Sequence, residues 1–243
     1  MDKPKPVIRQ IYDDHYRTAG PYNESDPRLE EFGRLVGRCR CRILDLGAGE
    51  GFIARYLQSL GHEVIAVDVS EVAVKICRDQ GLSAYQCDLE NQELPDHLGS
   101  FDIVMMTELL DHLLDPLTLL QSKVRRLLRQ GGIVIATVSN CVYFKHRWAF
   151  LRGHLPVWGE DQRSASQRPY NFQHKTLFTR RGLLETFERA GFIVVHLGPE
   201  SWAPWQWLRR LGMAQVSGRT IAWVRKVSPN LLAAGFVLKA RKR

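Results

Sequence analysis

Residues Ile43–Phe52 read ILDLGAGEGF. An apolar run carries one carboxylate, Asp45, and then glycines fall at 47, 49 and 51. A strand, a bare turn and a helix in that order form the first unit of a nucleotide-binding α/β fold. Glycines there let a ligand lie against the backbone at the helix N-terminus. The sixth position of the loop is Phe52 where the dinucleotide fingerprint has glycine, and no Lys-Ser/Thr pair follows as in a P-loop. The loop therefore points away from a pyrophosphate.

The flanking pattern extends the unit. EVIAVDV reads as a second strand, and SEVAVKICRDQG as a helix with Ser70 as N-cap and Gly81 as its stop. LSAYQCDLE reads as a third strand and FDIVMMTE as a fourth. PLTLLQSKVRRLLRQGG is predicted as one helix and IVIATVS as a fifth strand. Beyond these, TRRGLLETFERAGF reads as an amphipathic helix opened by Thr179, followed by strands FIVVHLG and AAGFVLKAR. Continuous apolar strands alternating with helices predict a doubly wound, mostly parallel sheet covered on both faces. The expected fold is a Rossmann-like α/β domain of seven strands with an antiparallel last strand. Its expected parts are an N-terminal helical segment (1–40), a core (41–139), a lid insert (140–175) and a basic, aromatic insert (199–230).

Three strand ends offer acids to one ligand. Asp45 precedes the glycine loop, Asp68 ends the second strand 17 residues after Gly51, and Asp88 ends the third. A carboxylate after the second strand suits both ribose hydroxyls of an adenosine, and one after the third suits an exocyclic amine.

Taken together, DLGAGEG, VDVS, CDLE, FDIVMMTELLDHLLDP and LLRQGGIVIATVSN resemble the class I S-adenosylmethionine-dependent methyltransferases. The resemblance covers roughly Cys41 to Asn140. It implies S-adenosyl-L-methionine as cofactor, with Gly47, Ala48, Gly49 and Gly51 along its methionine part and Asp45 near its amino group. It further implies Asp68 and Val69 at the ribose, Asp88 and Leu89 around the adenine, and Thr107 and Glu108 closing the methionine side. Within the family, VSNCVYFKHRWAFLRGHLPV and YNFQHKTLFTRRGLLETFERAGF are similar to MetW-like proteins and ubiquinone-type O-methyltransferases. The implied reaction is methyl transfer to a small-molecule or lipid-linked acceptor, at oxygen. A non-catalytic adaptor of the MetW kind and an RNA methyltransferase stand as alternatives.

The catalytic candidates are His112, His146 and His174. His112 serves either as a general base or as a residue framing the pocket, since an imidazole titrates near neutrality. His146 and His174 lie in the lid insert and either touch substrate or hydrogen-bond within their loop. Tyr143, Phe144, Trp148, Trp158, Tyr170 and Phe172 wall an apolar pocket or form the lid's own small core.

Charge is unevenly placed. Residues 201–243 hold nine Lys/Arg and no Asp or Glu, so the first 200 carry 25 basic against 26 acidic residues. All six tryptophans fall at 148 or later. A basic, aromatic tail suits an anionic contact. A membrane surface touched peripherally, or an anionic small acceptor, ranks above nucleic acid. The five cysteines show no CxxC pair and no Cys/His cluster at zinc spacing, so reduced thiols and no metal are expected. MDKPKPVIRQ has no apolar h-region and no run approaches a spanning length. The expectation is a cytoplasmic protein, and no feature sets its oligomeric state.

Overall fold

A computed structural model describes residues 7–18, 26–154, 174–200 and 229–243 of the 243. Two N-terminal helices, α1 (Val7–Thr18) and α2 (Pro27–Val36), precede β1 (Arg42–Leu46). The core continues with α3 (Phe52–Ser59), β2 (Glu63–Asp68), α4 (Glu71–Asp79), β3 (Ser83–Gln86) and β4 (Phe101–Thr107). Next come α5 (Pro116–Thr118), a π-helical stretch (Leu119–Val124), α6 (Arg125–Leu127) and β5 (Leu128–Ser139). The remaining elements are α7 (Phe144–Leu151), α8 (Arg180–Arg189), β6 (Phe192–Pro199), α9 (Pro229–Leu232) and β7 (Gly235–Lys242).

The seven strands form one sheet in the order β3-β2-β1-β4-β5-β7-β6. β1 to β5 pair in parallel, whereas β7 inserts antiparallel between β5 and β6. The Rossmann-like expectation therefore holds, and the antiparallel strand is the last. Strand order reverses between β1 and β4, which opens a crevice at their C-terminal ends, where α/β sheets bind ligands.

Both faces are covered, which explains why the strands read as unbroken apolar runs. Along β4, Val104 and Met106 enter one core and Ile103 and Met105 the other. Leu183 and Phe187, one turn apart on α8, are both fully buried. Each such side chain contributes about 1.5–3 kcal/mol of burial. The predicted caps form: Ser70 accepts from Ala73 N–H and Thr179 from Gly182 N–H.

Two expected boundaries are corrected. The single helix predicted from Pro116 through Gly132 stops at Leu127, and β5 begins at Leu128, five residues before Ile133. Leu128 already pairs with Phe101, and the register shifts before Ile133 meets Ile103. Gly131, at φ 72°, lets the chain turn inside that irregularity. The third strand is also shorter than LSAYQCDLE: it ends at Gln86, and Asp88 turns back on its own loop. Its carboxylate accepts from Glu90 N–H (3.0 Å) and the Asn91 amide (2.9 Å).

Of the aromatic residues of the lid and the basic insert, Trp158, Tyr170, Phe172, Trp202, Trp205, Trp207 and Trp223 lie outside the described residues. None of the described helices is long and apolar enough to cross a membrane.

Candidate functional site

The loop after β1 is held to β2 by backbone. Gly47 and Ala48 N–H both donate to Val67 C=O, and Gly49 N–H donates to Asp68 Oδ2 at 2.9 Å. The other oxygen of Asp68 accepts from Ser70 N–H at 2.9 Å. Burial pushes the Asp68 carboxyl up, and these backbone bonds pull it back. Val69 N–H also donates to this carboxylate, so three of its roughly four acceptor sites are taken by backbone.

A cavity of about 510 Å³ opens along these strand ends, within the range of small-molecule and cofactor sites. Of the cofactor residues expected from sequence, Gly47, Ala48, Gly49, Asp68, Val69, Asp88, Leu89, Thr107 and Glu108 line it. Asp45 and Gly51 do not. Asp45 is buried beneath the loop, its Oδ1 has no hydrogen-bond partner, and burial with the nearby Asp68 pushes its carboxyl up to about 7. Gly51 sits at φ 75°, and a Cβ there would meet Leu82 Cδ1 at 2.5 Å and Cys77 Sγ at 2.8 Å. It therefore lets the start of α3 pack closely against α4 and the turn that follows α4. Asp45 and Gly51, which the resemblance implies near the amino group and along the methionine part, thus lie behind the cavity wall.

The N-terminal helix closes the cavity from above, which sequence reasoning missed. Ile8, Tyr12 and Tyr16 of α1 line it. Asp13, buried, accepts from Ser70 Oγ at 2.6 Å and Val72 N–H at 3.3 Å, and so docks α1 on the start of α4. The Tyr16 hydroxyl approaches Gly49 so closely that a Cβ there would lie 2.8 Å from it. The signal available was the amphipathic spacing of Ile8, Ile11, Tyr12, His15 and Tyr16.

At the other end, β4 delivers Glu108 at φ 51°, an uncommon conformation for a residue with a side chain. Its N–H donates to Thr137, and its carboxylate accepts from Thr137 Oγ1 (2.8 Å) and Ser139 Oγ (3.2 Å). Burial, then Asp111, pushes Glu108 up to about 7. Arg28 and Glu200 face the same space. Arg28 grips the Asp26 carboxylate that caps α2 and lies 3.7 Å from Glu200 Oε1. Burial, then Glu108, raises Glu200 well above the usual carboxylate range. Neither Arg28 nor Glu200 was visible as a site residue, because each reaches the cavity from an element far from the glycine loop.

The three candidate histidines converge. His112, His146 and His174 all line the cavity. The His112 and His174 rings are 4.6 Å apart, and His112 Nδ1 is 2.8 Å from the Tyr12 hydroxyl. Between them lies Asp111, 3.3 Å from His174 Nε2 and 4.0 Å from His112 Nε2. His146 donates through Nδ1 to Asn140 C=O at 2.9 Å, which leaves Nε2 as an acceptor, and burial pushes its pKa down. Asn140 in turn ties β5 to α9 through Asn230 C=O and Ala233 C=O. Of the expected aromatic wall, Tyr143 lines the cavity, whereas Trp148 is 55% exposed on α7.

Comparison with known proteins gives a consistent picture. A methyltransferase-domain family model matches residues 8–197. A ubiquinone biosynthesis O-methyltransferase of Xanthomonas oryzae pv. oryzae is 33% identical over 118 residues, covering 46% of this chain and 49% of that protein. The chain thus spans about half the length of the curated relatives it matches. An S-adenosylmethionine-dependent methyltransferase from Mesorhizobium loti superposes with a TM-score of 0.62 at 20% identity, covering 93% of this chain and all of the other. Magnesium protoporphyrin IX methyltransferase from Synechocystis, solved with bound SAH, superposes at 0.60 and 13% identity, covering 98% and 99%. At these identities the structural likeness establishes the fold.

Proposed function

This chain belongs to the methyltransferase-domain family, and on that footing we propose that it transfers a methyl group from S-adenosylmethionine to an oxygen of a small-molecule or lipid-linked acceptor. The observation that carries the proposal is that the ends of β1 to β4 present the glycine loop, Asp68, Asp88 with Leu89, and Glu108 to one cavity. When bound, the cofactor supplies a methyl already activated by its sulfonium.

The residues divide by position. Asp68 takes the ribose hydroxyls, while Leu89 and Ile53, with Asp88, enclose the adenine. Arg28, from α2, meets the carboxylate of the amino-acid part, and Glu108 meets its ammonium. Both side chains are held in position before ligand arrives, by Asp26 for Arg28 and by Thr137 and Ser139 for Glu108, so little rearrangement is needed on binding. Tyr12 and Tyr16 of α1 cover the ligand and exclude water. Alignment of donor with acceptor and exclusion of water are the main contributions an in-line displacement requires. Asp111 and the three histidines occupy the acceptor side, where a hydroxyl proton must leave.

Helix α7 supports a lipid-linked acceptor. Trp148, Phe150 and Leu151 are exposed there, 55%, 49% and 79%, beside Lys145, Arg147 and Arg152 and with no acid on the helix. An apolar and cationic surface of this kind suits an anionic membrane interface, and Tyr143, Lys145 and His146 join it to the cavity.

Calorimetry with S-adenosylmethionine should give a one-to-one complex in the micromolar range. Absence of heat and of any thermal shift at millimolar cofactor refutes the proposal. Tritiated-methyl labelling of a native extract, separated into lipid, RNA, protein and small-molecule fractions, identifies the acceptor. Label in RNA alone would replace the small-molecule acceptor.

A further inference from the structure

Asp111, His112 and His174 differ in kind from the hydrogen-bonding groups around them. One potential ligand atom from each lies within 4.8 Å of the other two. His174 Nε2 is 3.3 Å from Asp111 Oδ2. Two ligands bound at about 2.0–2.1 Å to one tetrahedral ion stand roughly 3.3 Å apart, so this pair already has that spacing. His112 Nε2 lies 4.0 Å from the other oxygen of the same carboxylate, Asp111 Oδ1.

A hydrogen bond between His174 and Oδ2 does not account for the rest of the carboxylate. The Asp111 side chain is 2% exposed, and its Oδ1 is buried with no hydrogen-bond partner. Buried charges are found paired, hydrogen-bonded or coordinating a metal. The surroundings are those of a supported ligand set. The Tyr12 hydroxyl holds His112 at Nδ1, leaving Nε2 turned to the carboxylate. Ser139 N–H holds Asp111 Oδ2 at 3.3 Å. Outer hydrogen bonds of this type orient metal-bound histidines and carboxylates. The Asp111 carbonyl accepts from Lys175 N–H (2.8 Å) and Thr176 N–H (3.0 Å). Backbone thus pins the His174 segment to the Asp111–His112 turn, although the two are far apart in sequence.

We propose that Asp111, His112 and His174 bind one divalent transition-metal ion, of the zinc or cobalt type, with an open position facing the cavity for an oxygen of the acceptor. Two imidazoles and one carboxylate favour such ions over magnesium or calcium, which prefer all-oxygen sites. Three protein ligands with a free position describe a catalytic rather than a structural centre. Metal binding stands by itself; what the ion does rests on the methyl-transfer function proposed above. The acceptor hydroxyl would give its proton to the hydroxide it displaces from the ion's open position, which leaves as water. An oxygen lone pair then forms the O–CH3 bond, and the C–S pair goes to sulfur, leaving a neutral thioether. The histidines act as ligands in this arrangement and not as bases.

The test uses tag-free full-length protein, stripped with a chelator, dialysed and titrated with Co2+. Saturation at one equivalent, with visible d–d absorption of a nitrogen-ligated site, is expected. His174→Ala and Asp111→Asn should each weaken cobalt binding at least tenfold, and His146→Ala should not. Thermal melts and S-adenosylmethionine calorimetry on each variant confirm that it is folded. No stoichiometric cobalt band, or a band unchanged in both cluster variants, overturns the site. Full methyl transfer by chelator-treated protein overturns the metal's role while leaving the methyltransferase function standing. Cobalt binding without any cofactor binding does the reverse.

Discussion

Replacing Gly51 with alanine separates two roles for the glycine loop. The backbone there is left-handed at φ 75°, and the added Cβ would lie 2.5 Å from Leu82 Cδ1 and 2.8 Å from Cys77 Sγ. Left-handed backbone costs an L-residue about 1–2 kcal/mol. An extra methyl in a packed core costs about 1–3 kcal/mol more, and Cys77 and Leu82 are both buried with little room to yield. A loss of about 2–5 kcal/mol is expected, which for a chain of this size lowers Tm by roughly 4–20 °C. Gly51 does not line the cavity, so cofactor affinity, measured by calorimetry at a temperature where the variant is fully folded, should stay within about threefold. Thermal unfolding and calorimetry on the same samples decide the matter. A melting point within 2 °C of the parent, coupled to a tenfold loss of affinity, would refute the packing role and restore Gly51 to the ligand surface.

Asp45→Asn should stabilise the protein in alkaline solution. Its carboxyl titrates at about 7 in the fold against 3.8 unfolded, so no penalty exists below 3.8, and the penalty grows as pH rises and is full above 7. At about 1.4 kcal/mol per unit it reaches about 4 kcal/mol. Denaturant melts at pH 5 and pH 8.5 should show most of the gain at the higher pH; equal effects at both would dismiss the buried charge as its cause. Cofactor affinity should rise as pH increases through about 7, because the contact proposed between Glu108 and the ammonium needs an ionised carboxylate; Glu108→Gln should flatten that profile, and a profile unchanged in the variant would remove Glu108 from the contact. Asp13→Ala should free α1 by removing the bonds to Ser70 Oγ and Val72 N–H. Hydrogen bonds to a charged group contribute about 1.5–3 kcal/mol, so cofactor affinity should fall about tenfold or more. Faster amide exchange confined to α1 should accompany it, and unaltered exchange there would show that α1 is held by other contacts.

The alternation of apolar runs with helices, the glycines at 47, 49 and 51, and acids at successive strand ends were legible in the chain itself. Local geometry dictates them: a parallel strand buried on both faces must be apolar throughout, and a tight turn at φ above zero selects glycine. What each group touches was not legible. Asp45 and Asp68 both read as strand acids and Gly49 and Gly51 as glycines of one loop, yet only the folded chain turns Asp45 and Gly51 into the core and Asp68 and Gly49 toward the cavity. Arg28, Glu200 and the tyrosines of α1 reach the site from distant elements, and no spacing rule links such residues. Asp111, His112 and His174 meet because backbone hydrogen bonds from Lys175 and Thr176 bring the His174 segment onto the turn after β4. The sequence alone therefore determined the sheet and the floor of the cavity, which follow from periodicity and turn chemistry. The tertiary structure decided the cavity's cover, its charges and its histidine-lined end, since contacts between distant segments are set by packing.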